Sequence, residues 1–207
     1  LGTVNANGAQ ELFVYVITAN GRVETTNYRT VKLPSDVDVP LFVRNDFAPF
    51  YKALFSQQVK RQEMSTVFLE YAWNMSWCDP CASEPLSPEE QRKIGVFWLG
   101  DNNGGRSVFL TRLHVRYDGA HFPEDLVFQQ TGDQGQFQAR YIIHHPARTS
   151  GCDAAAVYRR QLRERQEHEA QNVADLTGWK VDDMRRKMHL TAAVTTPAEK
   201  KWWEKIW

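Results

Sequence analysis

The pattern of apolar and polar positions breaks the chain into recognisable blocks. Glu11-Leu12-Phe13-Val14-Tyr15-Val16-Ile17 is a β-branched and aromatic run, which predicts a strand. Asn20-Gly21 follows it with residues that tolerate positive φ in a two-residue turn. Together they predict a hairpin whose return strand covers residues 22–33, with a bulge or an end near Asn27. Phe47, Phe50, Tyr51, Leu54, Phe55 and Val59 recur at helical spacing after Asn45 or Asp46, either of which can cap the helix. Residues 65–73 carry Val67, Phe68, Leu69 and Tyr71 and read as a buried strand. Ser87-Pro88-Glu89-Glu90 then has the serine cap, first-turn proline and glutamate of a capping box, so a short helix starts at Ser87.

Two further hairpins are expected. Residues 96–99 and 108–117 flank the turn-forming run Gly100-Asp101-Asn102-Asn103-Gly104-Gly105, and residues 126–128 and 137–144 flank Thr131-Gly132-Asp133-Gln134-Gly135. Beyond Cys152 the character changes. Asp153 can cap a helix reaching Thr177, with Gly178 past its end and Arg160/Glu164, Arg163/Glu167 and Arg165/Glu169 at four-residue spacing. Its apolar stripe is thin (Ala154, Tyr158, Leu162, Val173, Leu176), which predicts a surface helix with a solvated charged face. The chain ends in Lys200-Lys201-Trp202-Trp203-Glu204-Lys205-Ile206-Trp207.

Hairpin signals outnumber strand-helix-strand alternation, so the fold class expected is α+β: mostly antiparallel strands with peripheral helices and a long surface helix near the C-terminus. The expected organisation is an α+β domain over residues 1–150, read either as whole or as the later half of a larger domain, and a helical extension over residues 151–207. The expected core gathers Phe13, Tyr15, Ile17, Phe50, Leu54, Phe68, Leu69, Phe97, Phe109, Leu113 and Val127.

Composition narrows the classes of function. The 207 residues are 42% hydrophobic and 24% charged, which is ordinary for a globular chain. Twenty-five Lys and Arg stand against twenty-five Asp and Glu, so there is no basic field to attract nucleic acid. No apolar run approaches the ~20 residues of a bilayer span. Leu1-Gly2-Thr3-Val4-Asn5 has neither an initiator Met nor the basic and apolar regions of a signal peptide, which reads as a processed or trimmed start.

Candidate chemistry is sparse. Trp77-Cys78-Asp79-Pro80-Cys81 has the spelling of a thiol-disulfide redox site, in which a helix N-terminus lowers the pKa of the first thiol. That mechanism needs a helix beginning at Cys78, whereas Pro85, Pro88 and the capping box delay the helix to Ser87. A hairpin series also lacks the β-α-β unit that normally carries the motif. Cys78, Cys81 and Cys152 are therefore read as structural disulfide candidates, Cys78 joined to Cys81 or one of them to Cys152, with redox use of Cys78 and Cys81 as the alternative. A zinc site from the three cysteines plus a histidine lacks a second close ligand pair, and His144-His145 point to opposite faces of a strand. A calcium loop over residues 101–112 fails because Arg112 stands where a bidentate glutamate is needed. No cofactor, metal or catalytic residue is expected. Trp202, Trp203, Ile206 and Trp207 form an apolar cluster among lysines that is seldom left in water, and they are the candidate partner-binding residues. Their contact is read as a protein partner, an upstream segment of the same polypeptide, the domain itself, or a membrane surface, where Trp and Lys are both favoured.

Residues 13–17 with Arg22-Val23-Glu24-Thr25-Thr26-Asn27-Tyr28-Arg29, then Phe68-Leu69-Glu70-Tyr71-Ala72, then Phe109-Leu110-Thr111-Arg112-Leu113 and Pro123-Glu124-Asp125-Leu126 resemble an uncharacterised bacterial family, the domain of unknown function family 2330. The resemblance spans residues 1–127 and looks like the later part of that family's domain. It implies export, since members usually begin with a signal peptide, hence a periplasmic or extracellular location and oxidised cysteines. It implies no reaction. The function expected is an exported, non-enzymatic binding or cell-envelope scaffold module; the alternative is a thiol-disulfide oxidoreductase.

Overall fold

The computed structural model of the protein describes residues 8–76, 85–99, 108–147 and 153–190. In chain order its elements are β1 (Gln10–Thr18), β2 (Val23–Thr25), β3 (Arg29–Lys32), β4 (Val37–Val39), a 3-10 turn (Leu41–Arg44), α1 (Phe47–Arg61), β5 (Thr66–Asn74), α2 (Pro88–Lys93), β6 (Phe109–Tyr117), β7 (Phe128–Gln130), β8 (Phe137–Gln138), β9 (Tyr141–Ile143), α3 (Asp153–Thr177) and α4 (Val181–Lys187). This is an α+β fold, and its strand pairs are mostly antiparallel. The chain divides into two compact units. The first takes the residues up to Asp36 together with Phe55–Arg140; the second takes Val37–Leu54 and, from Tyr141 onward, the described residues.

In the first unit the sheet order is β1-β6-β5-β3, with β8 added to β5. β6 is antiparallel to both β1 and β5, while β3 runs parallel to β5. One face is apolar: Val67, Leu69, Leu113, Val115 and Phe122 are buried there, with Leu12 and Val14 packed against them. β5 is buried almost throughout, as its nearly continuous apolar run requires of a strand covered on both faces. In the second unit β4 and β9 form a short parallel ladder. The amide of Asn172 on α3 donates to the carbonyl of Asp38 on β4 at 2.9 Å. Val39, Val43, Phe50 and Leu54 are fully buried. Phe50 meets Tyr141 edge-on, with ring centroids 5.1 Å apart.

Local signals and long-range pairing part company. The helix after Asp46, the strand over residues 65–73, the capping box at Ser87 and the helix from Asp153 to Thr177 all form. At the capping box Ser87 Oγ accepts from the Glu90 amide, and the Glu90 carboxylate accepts from the Ser87 amide at 2.8 Å. The three expected hairpins do not form. β1 pairs with β6, and β2 leaves the sheet to pair with β7. Gly21 does turn with φ +112°, but it turns the chain toward residues 131–133. A Cβ there would lie 2.7 Å from the Thr131 carbonyl oxygen and 2.8 Å from that of Asp133, so only glycine allows the approach.

Residues 96–99 form no strand. After α2, Gly95 at φ +95° reverses the chain and the Val96 amide closes on the Gln91 carbonyl. Val96 is thereby buried beside Trp73, Met75 and Val108, and Phe97 is left 89% exposed. The third expected pair separates as well, because β7, β8 and β9 each join a different strand.

Of the expected core, Phe50, Leu54, Phe68, Leu69, Phe109 and Leu113 are buried, whereas Phe13, Tyr15, Phe97 and Val127 are exposed. On β1 the error is one of parity. Leu12 and Val14 face the apolar cluster, so Phe13 and Tyr15 project from the opposite face. On α3 the deepest burial is at Ala170 and Val173, followed by Ala155, in place of Ala154, near the start and Glu169.

Candidate functional site

Two groups of charged side chains stand away from ordinary solvent. The first lies in the sheet of the first unit. Register puts Phe13 and Phe68 opposite His114 on one face, and the irregularity between Leu69 and Tyr71 brings Glu70 to that same histidine. His114, 2% exposed, donates from Nδ1 to Glu70 Oε1 at 2.7 Å, and its Nε2 lies 3.5 Å from Glu11 Oε2. Its ring is stacked between Phe55, with centroids 3.5 Å apart, and Phe13, at 4.0 Å. Arg112 Nε approaches Glu70 Oε2 at 2.8 Å, and its guanidinium covers the Phe13 and Tyr15 rings. Arg116 Nε donates to Glu11 Oε1 at 3.0 Å. Burial pushes the Glu11 carboxyl upward, but its bonds and charge interactions with Arg116 and His114 outweigh this and hold it below its ordinary value. These pairs tie β1, β5 and β6 together beside the Phe13 and Phe55 rings, so this group braces the sheet.

The second group lines a cleft in the second unit, with a volume of about 350 Å³. The cleft has apolar walls from Pro40, Leu41, Phe42, Pro146, Leu162 and Met188. Asn45, His144, Arg165, Gln166, Glu169 and Lys187 bring polar atoms to it. His144 Nε2 is 2.8 Å from Asp38 Oδ1. Lys187 Nζ is 2.6 Å from Asp46 Oδ2 and sits 4.9 Å over the Phe42 ring. The third charge pair is looser. Arg165 Nε stands 3.6 Å from Glu169 Oε1, beyond hydrogen-bond distance, and is buried without an acceptor among the described residues. Glu169 is only 5% exposed. Burial raises its pKa above the ordinary value; Arg165 and His144 offset part of this, and Asp38 adds to it. Size, apolar lining and a few converging polar groups are the attributes of a small-molecule site.

Cys78, Cys81 and Cys152, and likewise Trp202, Trp203, Ile206 and Trp207, lie outside the described residues. The cleft residues were legible only in part. Arg165/Glu169 shows in the sequence as a four-residue pair, and the natural reading is a solvated face. The overlooked signal is that Leu162, Glu169, Val173 and Leu176 share one helical stripe, so Glu169 occupies a position otherwise held by apolar residues. Glu70 carries the same signal within the buried run Val67-Phe68-Leu69-Glu70-Tyr71. No local signal joins residues 40–45 to α3, since that meeting depends on the β4/β9 pairing.

The model of a family described as an uncharacterised protein conserved in bacteria, DUF2330, matches residues 1–129. The chain belongs to this family. The family match contains the whole Glu11, Glu70, Arg112, His114 and Arg116 group, whereas the α3 residues of the cleft lie beyond it. No curated protein and no solved structure matches the chain. No helix among the described residues is long and apolar enough to cross a membrane. Among the described residues no three His, Cys, Asp or Glu side chains gather as metal ligands.

Proposed function

We propose that the protein is an exported, non-enzymatic binding module whose ligand site is the cleft between α3 and the Leu41–Arg44 turn. The observation that carries the reading is the cleft itself: about 350 Å³, apolar on its walls, with a loosely paired Arg165 and a buried Glu169 inside. In the lining His144 is paired with Asp38 and Lys187 with Asp46, which leaves Arg165 as the most loosely held cation. Export rests on what the family resemblance implies, with Cys78, Cys81 and Cys152 as disulfide candidates in an oxidising compartment. Trp202, Trp203, Ile206 and Trp207 fit a second, protein-binding contact of an envelope module.

Amide-shift mapping of the full chain against a library of small acids, amines and alcohols tests the cleft. Shifts are expected in residues 41–45, 162–169 and 187–188, and Leu162→Trp, which fills the cleft, is expected to abolish them. Shifts confined to other residues, or surviving that substitution, would remove the reading. Deletion from Thr196 onward is expected to preserve thermal stability and abolish association with a partner protein; loss of stability would instead assign the tryptophans to the fold. Turnover of insulin disulfides that disappears in Cys78→Ser would overturn the non-enzymatic assignment in favour of a thiol-disulfide oxidoreductase.

A further inference from the structure

Lys187, His144 and Arg165 each face one carboxylate at the cleft, but the three pairs are not equally close. Lys187 is matched by Asp46 at 2.6 Å, and His144 by Asp38 at 2.8 Å. Arg165 is left with one loose contact, to Glu169 at 3.6 Å, and that carboxyl is almost wholly buried. Arg165 itself is about one-third exposed, with 32% of its side chain accessible, and it lines the cleft beside Leu162. A guanidinium presents a planar fork of donors suited to a carboxylate, and here no described acceptor meets its buried Nε. A loosely paired guanidinium beside apolar walls suits a ligand with one negative charge joined to an apolar body.

We propose that the cleft binds apolar monocarboxylic acids, with Arg165 receiving the carboxylate and Leu41, Phe42, Leu162 and Met188 covering the apolar part. The inference rests on the cleft being the ligand site, and it adds the class of ligand. A dianion such as a phosphate monoester is disfavoured, because Lys187 and His144 are already paired and Glu169 would repel the second charge. Glu169 then acts as the competitor for Arg165. In its ionised form it partly neutralises the guanidinium; in its protonated form it leaves Arg165 to the ligand and can itself donate to a carboxylate. The pKa of Glu169, raised by burial, agrees with a carboxyl that gives up its claim on Arg165 easily.

Titration calorimetry of the full chain with octanoate, octanol and octylamine provides the test. Octanoate is expected to bind about tenfold or more tightly than octanol, as one charge-assisted hydrogen-bonded pair implies. Octylamine should bind most weakly. Arg165→Gln should remove the preference for octanoate over octanol, and Glu169→Gln should strengthen octanoate binding several-fold. Thermal unfolding of both variants checks that the fold is kept. N-acetylphenylalanine, which imitates a peptide C-terminus, forms a second arm: if it binds and octanoate does not, with the same loss in Arg165→Gln, the acid is a chain terminus and not an aliphatic acid. Equal binding of octanoate and octanol, or octanoate binding unchanged in Arg165→Gln, overturns the carboxylate inference while leaving the cleft as a site. Octanoate binding that persists in Leu162→Trp overturns the cleft reading with it.

Discussion

The two units hold the same kinds of charged side chain and use them in opposite ways. In the first, Glu70 is held at 2.7 Å by His114 and at 2.8 Å by Arg112, and Phe13 and Phe55 seal the histidine ring from both sides. In the second, Glu169 is as deeply buried as Glu70, but its one cation stands off at 3.6 Å and a cleft opens beside it. Burial alone therefore does not separate a structural charge from a functional one. What separates them is how close the partners stand. A buried carboxyl with two close partners is costly to disturb, because removing one leaves the other groups of the cluster buried without it. On the proposed reading, one that keeps a loose partner beside open volume exchanges that partner for a ligand.

The sharpest way to break the comparison is at His114. His114→Ala strips Glu70 of its closest partner and opens a gap between Phe13 and Phe55, and it is expected to destabilise the protein by about 3–5 kcal/mol in denaturant unfolding. A loss under about 1 kcal/mol would show that the sealed group is no brace. Pairing His114→Phe with Glu70→Met should recover part of the loss, since both members of the buried pair are then apolar and Arg112, which loses Glu70, still reaches solvent. The matching change in the second unit, Arg165→Gln, removes a 3.6 Å contact too loose to be a hydrogen bond from a cation that is one-third exposed, and should cost clearly less stability than His114→Ala. Comparable losses for His114→Ala and Arg165→Gln would erase the distinction between the units.

The smallest effects are in pH dependence, and they carry opposite signs. The folded-state pKa of Glu169 is raised, so the folded form binds its proton more tightly than the unfolded chain does. Its contribution is present below the unfolded pKa and is lost as pH rises through the folded value, and Glu169→Gln should flatten that loss and stabilise the protein at neutral pH. The folded-state pKa of Glu11 is lowered by Arg116 and His114, so its contribution is present above the unfolded pKa and is lost as pH falls through the folded value. Glu11→Gln should remove about 0.2–1 kcal/mol at neutral pH and weaken the acid sensitivity. Stability followed against pH in the two variants checks both slopes; slopes of the same sign would contradict the contrast.

Much of the local structure was legible in the sequence because the physical cause is local. A helix declares itself by the spacing of Phe50, Leu54, Phe55 and Val59, and a helix start by a serine and a glutamate that satisfy each other's backbone donors. Gly21 and Gly178 were likewise legible as places where the chain turns, and both take positive φ, whereas the turn at Gly95 was not. None of these signals says where the chain goes after the turn. Gly21 sends β2 to β7, and Gly95 folds Val96 back toward Trp73 and leaves Phe97 in water.

Strand partners were decided only in three dimensions, because a strand pairs with whichever edge lets both of its faces find cover, and that edge can be a hundred residues away. β1 finds it in β6, which fixes Leu12 and Val14 inward and turns Phe13 outward onto His114. The candidate sites follow the same division. The sequence by itself determined that Glu70 and Glu169 interrupt apolar stripes and that Arg165 stands one helical turn from Glu169. Only the tertiary structure decided that His114 and Arg112 complete one of these groups, while β4, β9 and α3 leave the other beside a cleft. A carboxylate's neighbours within a helix or strand are set by spacing, but its burial and its counter-charge are set by what the rest of the chain packs against it.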